Sequence, residues 1–74
     1  MLYRVATWGP VPRRHEAAAA QLPAIERQGL VWAVLIREDG AQAEALLPIL
    51  HPPTIDLSTI PTARILARKE PPHA

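Results

Sequence analysis

The chain of 74 residues has no cysteine and no phenylalanine, and it has only three glycines, one serine and one lysine. The missing cysteine excludes disulfides, thiolate metal sites and a cysteine nucleophile together, and leaves the redox compartment open. Two tryptophans and one tyrosine are the only aromatics, so the core must be built from Leu, Ile, Val and Ala. A domain of this size buries only about 60% of the surface its unfolded chain exposes. Every large side chain therefore counts, and a partner or a second copy covering more apolar surface would add to stability. An excess of one charge is also lacking: eight Lys and Arg face seven Asp and Glu, for a net charge of +1. That balance does not by itself imply a polyanionic partner. Long apolar runs are absent as well. The longest, Leu30 to Ile36, falls far short of the roughly 20 residues a membrane helix needs, and no signal-peptide core opens the chain. The expectation is a soluble, cytoplasmic protein without a membrane partner.

What is present centres on Leu30 to Ile49, where two apolar-rich runs flank Asp39-Gly40. An Asp-Gly pair in that setting predicts a β-hairpin with a two-residue type I′ turn. Such a turn pairs Ile36 with Ala43, Val34 with Ala45, Trp32 with Leu47 and Leu30 with Ile49. Because side chains alternate across a strand, this face becomes the expected core: Leu30, Trp32, Val34, Ile36, Leu47 and Ile49. The opposite face carries Val31, Ala33, Leu35 and Leu46, which then need cover. A rival reading makes residues 41–47 a short helix, since Asp39 and Gln42 have capping-box spacing and Ala41 to Leu47 contains good helix formers.

Upstream, Leu2 to Trp8 reads as a strand with Tyr3, Val5 and Thr7 on one side, stopped by Gly9-Pro10-Val11-Pro12. A helix follows from Pro12 through Ala17 to Ala20, with Ala18, Leu22 and Ile25 on one face and Gly29 as its stop. Pro23 falls inside it and predicts a kink or two short helices meeting near Leu22. His51-Pro52-Pro53 reads as an extended connection. Ala63 to Lys69 reads as a last strand with Ala63, Ile65 and Ala67 inward, or as a helix begun near Pro61. The expected fold is one α+β domain over residues 1–70, ending in a frayed tail at 71–74. Its order is β-α-β-β-β, with a small antiparallel or mixed sheet of three to four strands and one kinked or broken helix packed on one face. If the first two strands are adjacent and parallel, their crossover is right-handed.

The search for chemistry returns negatives. His15-Glu16 resembles the opening of the zinc-protease H-E-x-x-H motif, but Ala19 stands where the second histidine belongs. His51 and His73 lack companions, and a zinc site needs three or four convergent ligands. Ser58, the only serine, has none of the glycines of a nucleophile elbow, so Asp56 and Ser58 suit turn or capping roles. Glu38-Asp39, at a solvated turn, has little reason for a perturbed pKa. Gly9, Gly29 and Gly40 are too far apart to cradle a phosphate in one loop. No catalytic residue, cofactor or metal is expected.

Two surfaces remain. Arg13 and Arg14, together with Arg64, Arg68 and Lys69, are the candidate contacts for an anion or nucleic acid, with Tyr3, Trp8 and Trp32 as candidates for base stacking. The second hairpin face, Val31, Ala33, Leu35 and Leu46, is the candidate protein interface unless Ile55, Leu57 and Ile60 fold across it. The favoured function is a small non-enzymatic protein-interaction module, self-associating or partner-bound. By size and missing catalytic residues alone, it is analogous to the inhibitors and accessory factors of phages and mobile elements, including inhibitors of CRISPR defence. A nucleic-acid-binding accessory protein is the alternative.

Overall fold

The computed structural model describes residues 2–48 and 53–71. Five strands form one antiparallel sheet: β1 (Leu2–Gly9), β2 (Val31–Arg37), β3 (Gln42–Leu47), β4 (Thr54–Asp56) and β5 (Arg64–Lys69). Their spatial order is β4-β1-β2-β3-β5. A 3-10 turn at Arg13–His15 and two short helices, α1 (Glu16–Ala20) and α2 (Ala24–Arg27), connect β1 to β2. The α+β class matches the expectation. The sheet has one strand more because Thr54–Asp56, assigned to no strand from the sequence, pairs with Leu2–Arg4. Residues 42–47 and 64–69 are strands, not helices. β1 and β2 are adjacent but antiparallel, so the crossover rule does not apply. The expected Leu30–Ile49 pair, the connection at His51-Pro52 and the tail residues 72–74 lie outside the described residues.

The hairpin is closed differently from the type I′ expectation. The Gly40 N–H donates to the Arg37 carbonyl at 2.9 Å, and the Arg37 N–H donates to the Ala41 carbonyl at 2.8 Å. Gly40 has φ 92°, and no described residue other than glycine has positive φ, so Asp39 cannot be part of a type I′ turn. The loop is Glu38-Asp39-Gly40, a turn followed by a left-handed glycine, and it holds three residues instead of two. Asp39 supports it by accepting from the Arg37 Nε at 2.8 Å and from the Ala41 N–H at 3.1 Å.

One extra loop residue moves the register by one. Val31 now opposes Leu47, Ala33 opposes Ala45 and Leu35 opposes Ala43. β3 keeps its expected inner side, Ala43, Ala45 and Leu47, whereas β2 is turned over. Ala33 and Leu35 are buried in the core with Tyr3, Ala43, Ala45, Leu47 and Ile55. Trp32, Val34 and Ile36, expected inside, are on the other side of the sheet and only partly buried. Two more irregularities have the same effect. Ala6 is an extra residue in β1 between Val5 and Thr7, so Thr7 leaves the face of Tyr3 and Val5. Leu66 is an extra residue in β5, so Ile65 packs on the core while Ala67, expected inward, opposes Glu44 on the far side and is exposed.

The two faces are covered unequally. Alanines at positions 33, 43 and 45 leave a shallow centre on the core face. Leu57, Ile60 and Ala63, on the segment carrying the chain from the β4 edge to the β5 edge, pack onto it. A 3-10 turn at Leu57–Thr59 starts that segment, capped by Asp56, whose carboxylate accepts from the Ser58 N–H at 3.0 Å and the Ser58 hydroxyl at 2.6 Å. The opposite face carries the helical layer, which Pro23 breaks into two as expected, taking the N-cap position of α2. Gly29 follows at φ 71° and turns the chain into β2. Leu22 is buried, but Ile25, expected on the same inner face, lies beyond the break at Pro23 and is exposed.

Leu35→Ala should cost about 2–4 kcal/mol and Val34→Ala less than about 1 kcal/mol, measured by urea unfolding. The reverse ranking would restore the two-residue turn. Gly40→Ala should cost about 1 kcal/mol in the same assay, because alanine must adopt a left-handed backbone.

Candidate functional site

The register that turns β2 over also assembles a polar cluster. Trp32 opposes Leu46 and Val34 opposes Glu44, so Trp32 and Glu44 are diagonal neighbours on the helix face. The 3-10 turn places Arg14 and His15 above them. A single oxygen, Glu44 Oε1, accepts from Arg14 Nη2 at 2.8 Å and from Trp32 Nε1 at 3.0 Å. His15 Nε2 lies 3.1 Å from the same oxygen and donates to it in the tautomer that an ionised carboxylate requires. The Arg14 guanidinium also lies over the Trp32 ring, 5.4 Å from its centre. The hydrogen bond from Arg14, then those from His15 and Trp32, hold the Glu44 carboxyl at a pKa of about 2. Arg64 lies 3.9 Å from Glu26 on α2 and ties the second helix to the same end of the sheet.

These contacts explain where the helical layer sits. It covers the end of the helix face marked by Trp32, Glu44, Leu46 and Arg64, and Leu46 there is fully buried. The other end is left open. Leu2 is 65% exposed, beside Arg4, Ile36 and Thr54 in a shallow depression that Arg37, Glu38 and Gly40 complete. Val34, Gln42 and Lys69 line the adjoining depression toward β5.

Each expected site residue can now be placed. Val31, Ala33, Leu35 and Leu46 do not form an exposed interface. Ala33 and Leu35 are inside the core, Val31 packs against it, and Leu46 lies beneath the helical layer. The segment containing Ile55, Leu57 and Ile60 does fold across the first three. The basic residues are partly brought together. Arg64, Arg14 on Glu44, and Lys69 follow one another along the β3–β5 side of the helix face, whereas Arg68 opposes Ala43 and belongs to the core face. Arg13 is exposed on the 3-10 turn. Of the stacking candidates, Tyr3 is buried and Trp32 is engaged by Glu44 and Arg14, while Trp8 is exposed.

No family model matches this chain, and no curated protein or solved structure is significantly similar to it. Among the described residues, no cluster of His, Asp and Glu is arranged to hold a metal. The Ser58 hydroxyl is spent on capping, as expected. No helix among the described residues is long and apolar enough to cross a membrane. One electrostatic expectation needs correction: the Arg37 guanidinium and the Ala41 N–H hold Asp39 at a pKa of about 2, although the turn is solvated.

Glu44 and the open-end residues Leu2, Arg4, Val34 and Ile36 were not singled out as site residues. With a two-residue turn, Trp32 and Glu44 fall on opposite faces, so sequence spacing could not join them. The signal available was Glu44 itself, the single carboxylate in the apolar-rich run from Ala41 to Ile49.

Because native Glu44 and Asp39 titrate near pH 2, below the usual carboxylate range, their stabilisation is complete above about pH 5. It is lost as pH falls through 4.5 toward 2. Glu44→Gln should cost about 1–2 kcal/mol at pH 7 and flatten the acid limb of the stability curve, as read by denaturant titration at pH 7, 4 and 2.5.

Proposed function

We propose that this chain is a small non-enzymatic protein-interaction module that works as an inhibitor or accessory factor and docks through the open end of its helix face. The observation that carries the reading is the incomplete cover of the sheet. The helical layer ends at Glu44, and beyond it Leu2 is exposed while Val34 and Ile36 are only half-buried. Apolar side chains rimmed by Arg4, Lys69 and Thr54 have the composition of an interface centre with a polar border. The rim sets Arg4 and Lys69 against Glu38, an excess of positive charge that favours a partner whose apolar contact is bordered by carboxylates. A second copy of this chain would set the same cations against each other.

The nucleic-acid alternative is less well supported. Arg14 and Arg64 are both engaged by carboxylates of the same chain, Glu44 and Glu26, which offsets the positive row on the helix face. Phosphate binding would have to break those pairs or rely on Arg4, Arg13, Arg68 and Lys69 across different faces. Base stacking keeps only Trp8 as an exposed aromatic.

Ile36→Glu should leave the circular dichroism spectrum and cooperative unfolding intact while removing a protein that the wild type captures from its native host. Solution mass separates that partner from a second copy. Retained capture by Ile36→Glu would reject the open end as the docking surface. Tight binding of a 20-nucleotide strand at low salt, weakened by Arg13→Ala with Arg14→Ala and not by Ile36→Glu, would move the protein to the nucleic-acid class.

A further inference from the structure

We infer that the outer edge of β5 accepts an extended acidic segment of a partner protein as a sixth strand. This rests on the interaction-module reading and names a second contact that such a partner makes. The sheet has two edges, and they are not equivalent. β4 is three residues long, follows Pro53 and runs straight into the 3-10 turn capped by Asp56, so it offers no length for another strand. β5 is six residues long, contains no proline, and is bonded on its inner side to β3. Among the described residues, no backbone hydrogen bond reaches its outer side.

The charges on this edge decide what it accepts. Arg64, Arg68 and Lys69 lie on β5 and are exposed; Arg64 is 3.9 Å from Glu26, so Arg68 and Lys69, followed by Glu70, are the cations this edge offers to a partner. A second copy pairing antiparallel over the whole strand would set Arg64 against Lys69, and like charges directly opposite repel. The cations that discourage self-pairing select an acidic strand, whose backbone supplies the ladder bonds and whose carboxylates supply the register. Successive residues of a strand face opposite sides, so Arg68 belongs to the core face and Lys69 to the helix face. An incoming strand therefore meets both with two consecutive acidic residues, one on each face.

The test uses the full chain and the capped peptide Thr-Glu-Glu-Thr-Val-Thr-Glu-Thr, followed by amide NMR shifts. Two control peptides accompany it, one with every Glu replaced by Lys and one N-methylated at alternate residues. The expected result is saturable binding with shifts concentrated in residues 64–69. Affinity should fall by about tenfold or more in Arg68→Glu with Lys69→Glu, and binding should be lost with either control peptide. No binding of the acidic peptide, or equal binding of the N-methylated one, overturns strand addition. Capture that depends on Ile36 is measured separately, so failure at the edge is distinguishable from failure of the module reading. A 20-nucleotide oligothymidylate outcompeting the peptide for the same amides would overturn both.

Discussion

Gly40 in its left-handed conformation closes a loop of three residues, and most of this structure follows from that count. A two-residue turn would place Trp32, Val34 and Ile36 inside with Ala43, Ala45 and Leu47. The three-residue loop leaves β3 as it is and turns β2 over. Leu35 and Ala33 become core, Trp32 comes out beside Glu44, and Ile36 emerges next to Leu2. Asp39 reinforces the loop through Arg37 and the Ala41 N–H, so the turn is held by charge-assisted bonds as well as by backbone geometry.

The two sides of the sheet then meet different solutions to one problem, the shortage of large side chains. On the core face, alanines at positions 33, 43 and 45 are compensated by Leu57, Ile60 and Ala63 from the crossing segment. On the helix face, a layer only a few turns long is located mainly by polar contacts. Glu44 gathers Arg14, His15 and Trp32, and Glu26 reaches Arg64. Such contacts fix position more than they add area. The layer therefore covers one end and leaves the other only half-covered, and this links the polar cluster to the proposed function.

Much of the fold was legible because it depends on local chemistry. Prolines ended β1 and divided the helical segment, Gly29 stopped it, and the alternation of residues 42–47 marked a strand whose inner side was read correctly. The relative facing of β2 and β3 was not legible, because Asp-Gly serves both a two-residue turn and a turn with a left-handed third residue. Ala6 and Leu66 hid the facing of Thr7 and Ala67 in the same manner: an extra residue in a ladder leaves no mark in composition or periodicity. The candidate site inherited that ambiguity. Arg14 could be singled out as a cation, but its anchoring carboxylate could be found only once Trp32 and Glu44 shared a face.

Cross-strand proton contacts in the β2–β3 hairpin test the central claim most directly, since in an antiparallel pair they report which residues are opposite. Nuclear Overhauser effects placing Ala33 opposite Ala45 and Leu35 opposite Ala43 are the predicted result. Contacts placing Val34 opposite Ala45 and Trp32 opposite Leu47 would contradict the three-residue loop, and with it both the buried position of Leu35 and the open face around Ile36.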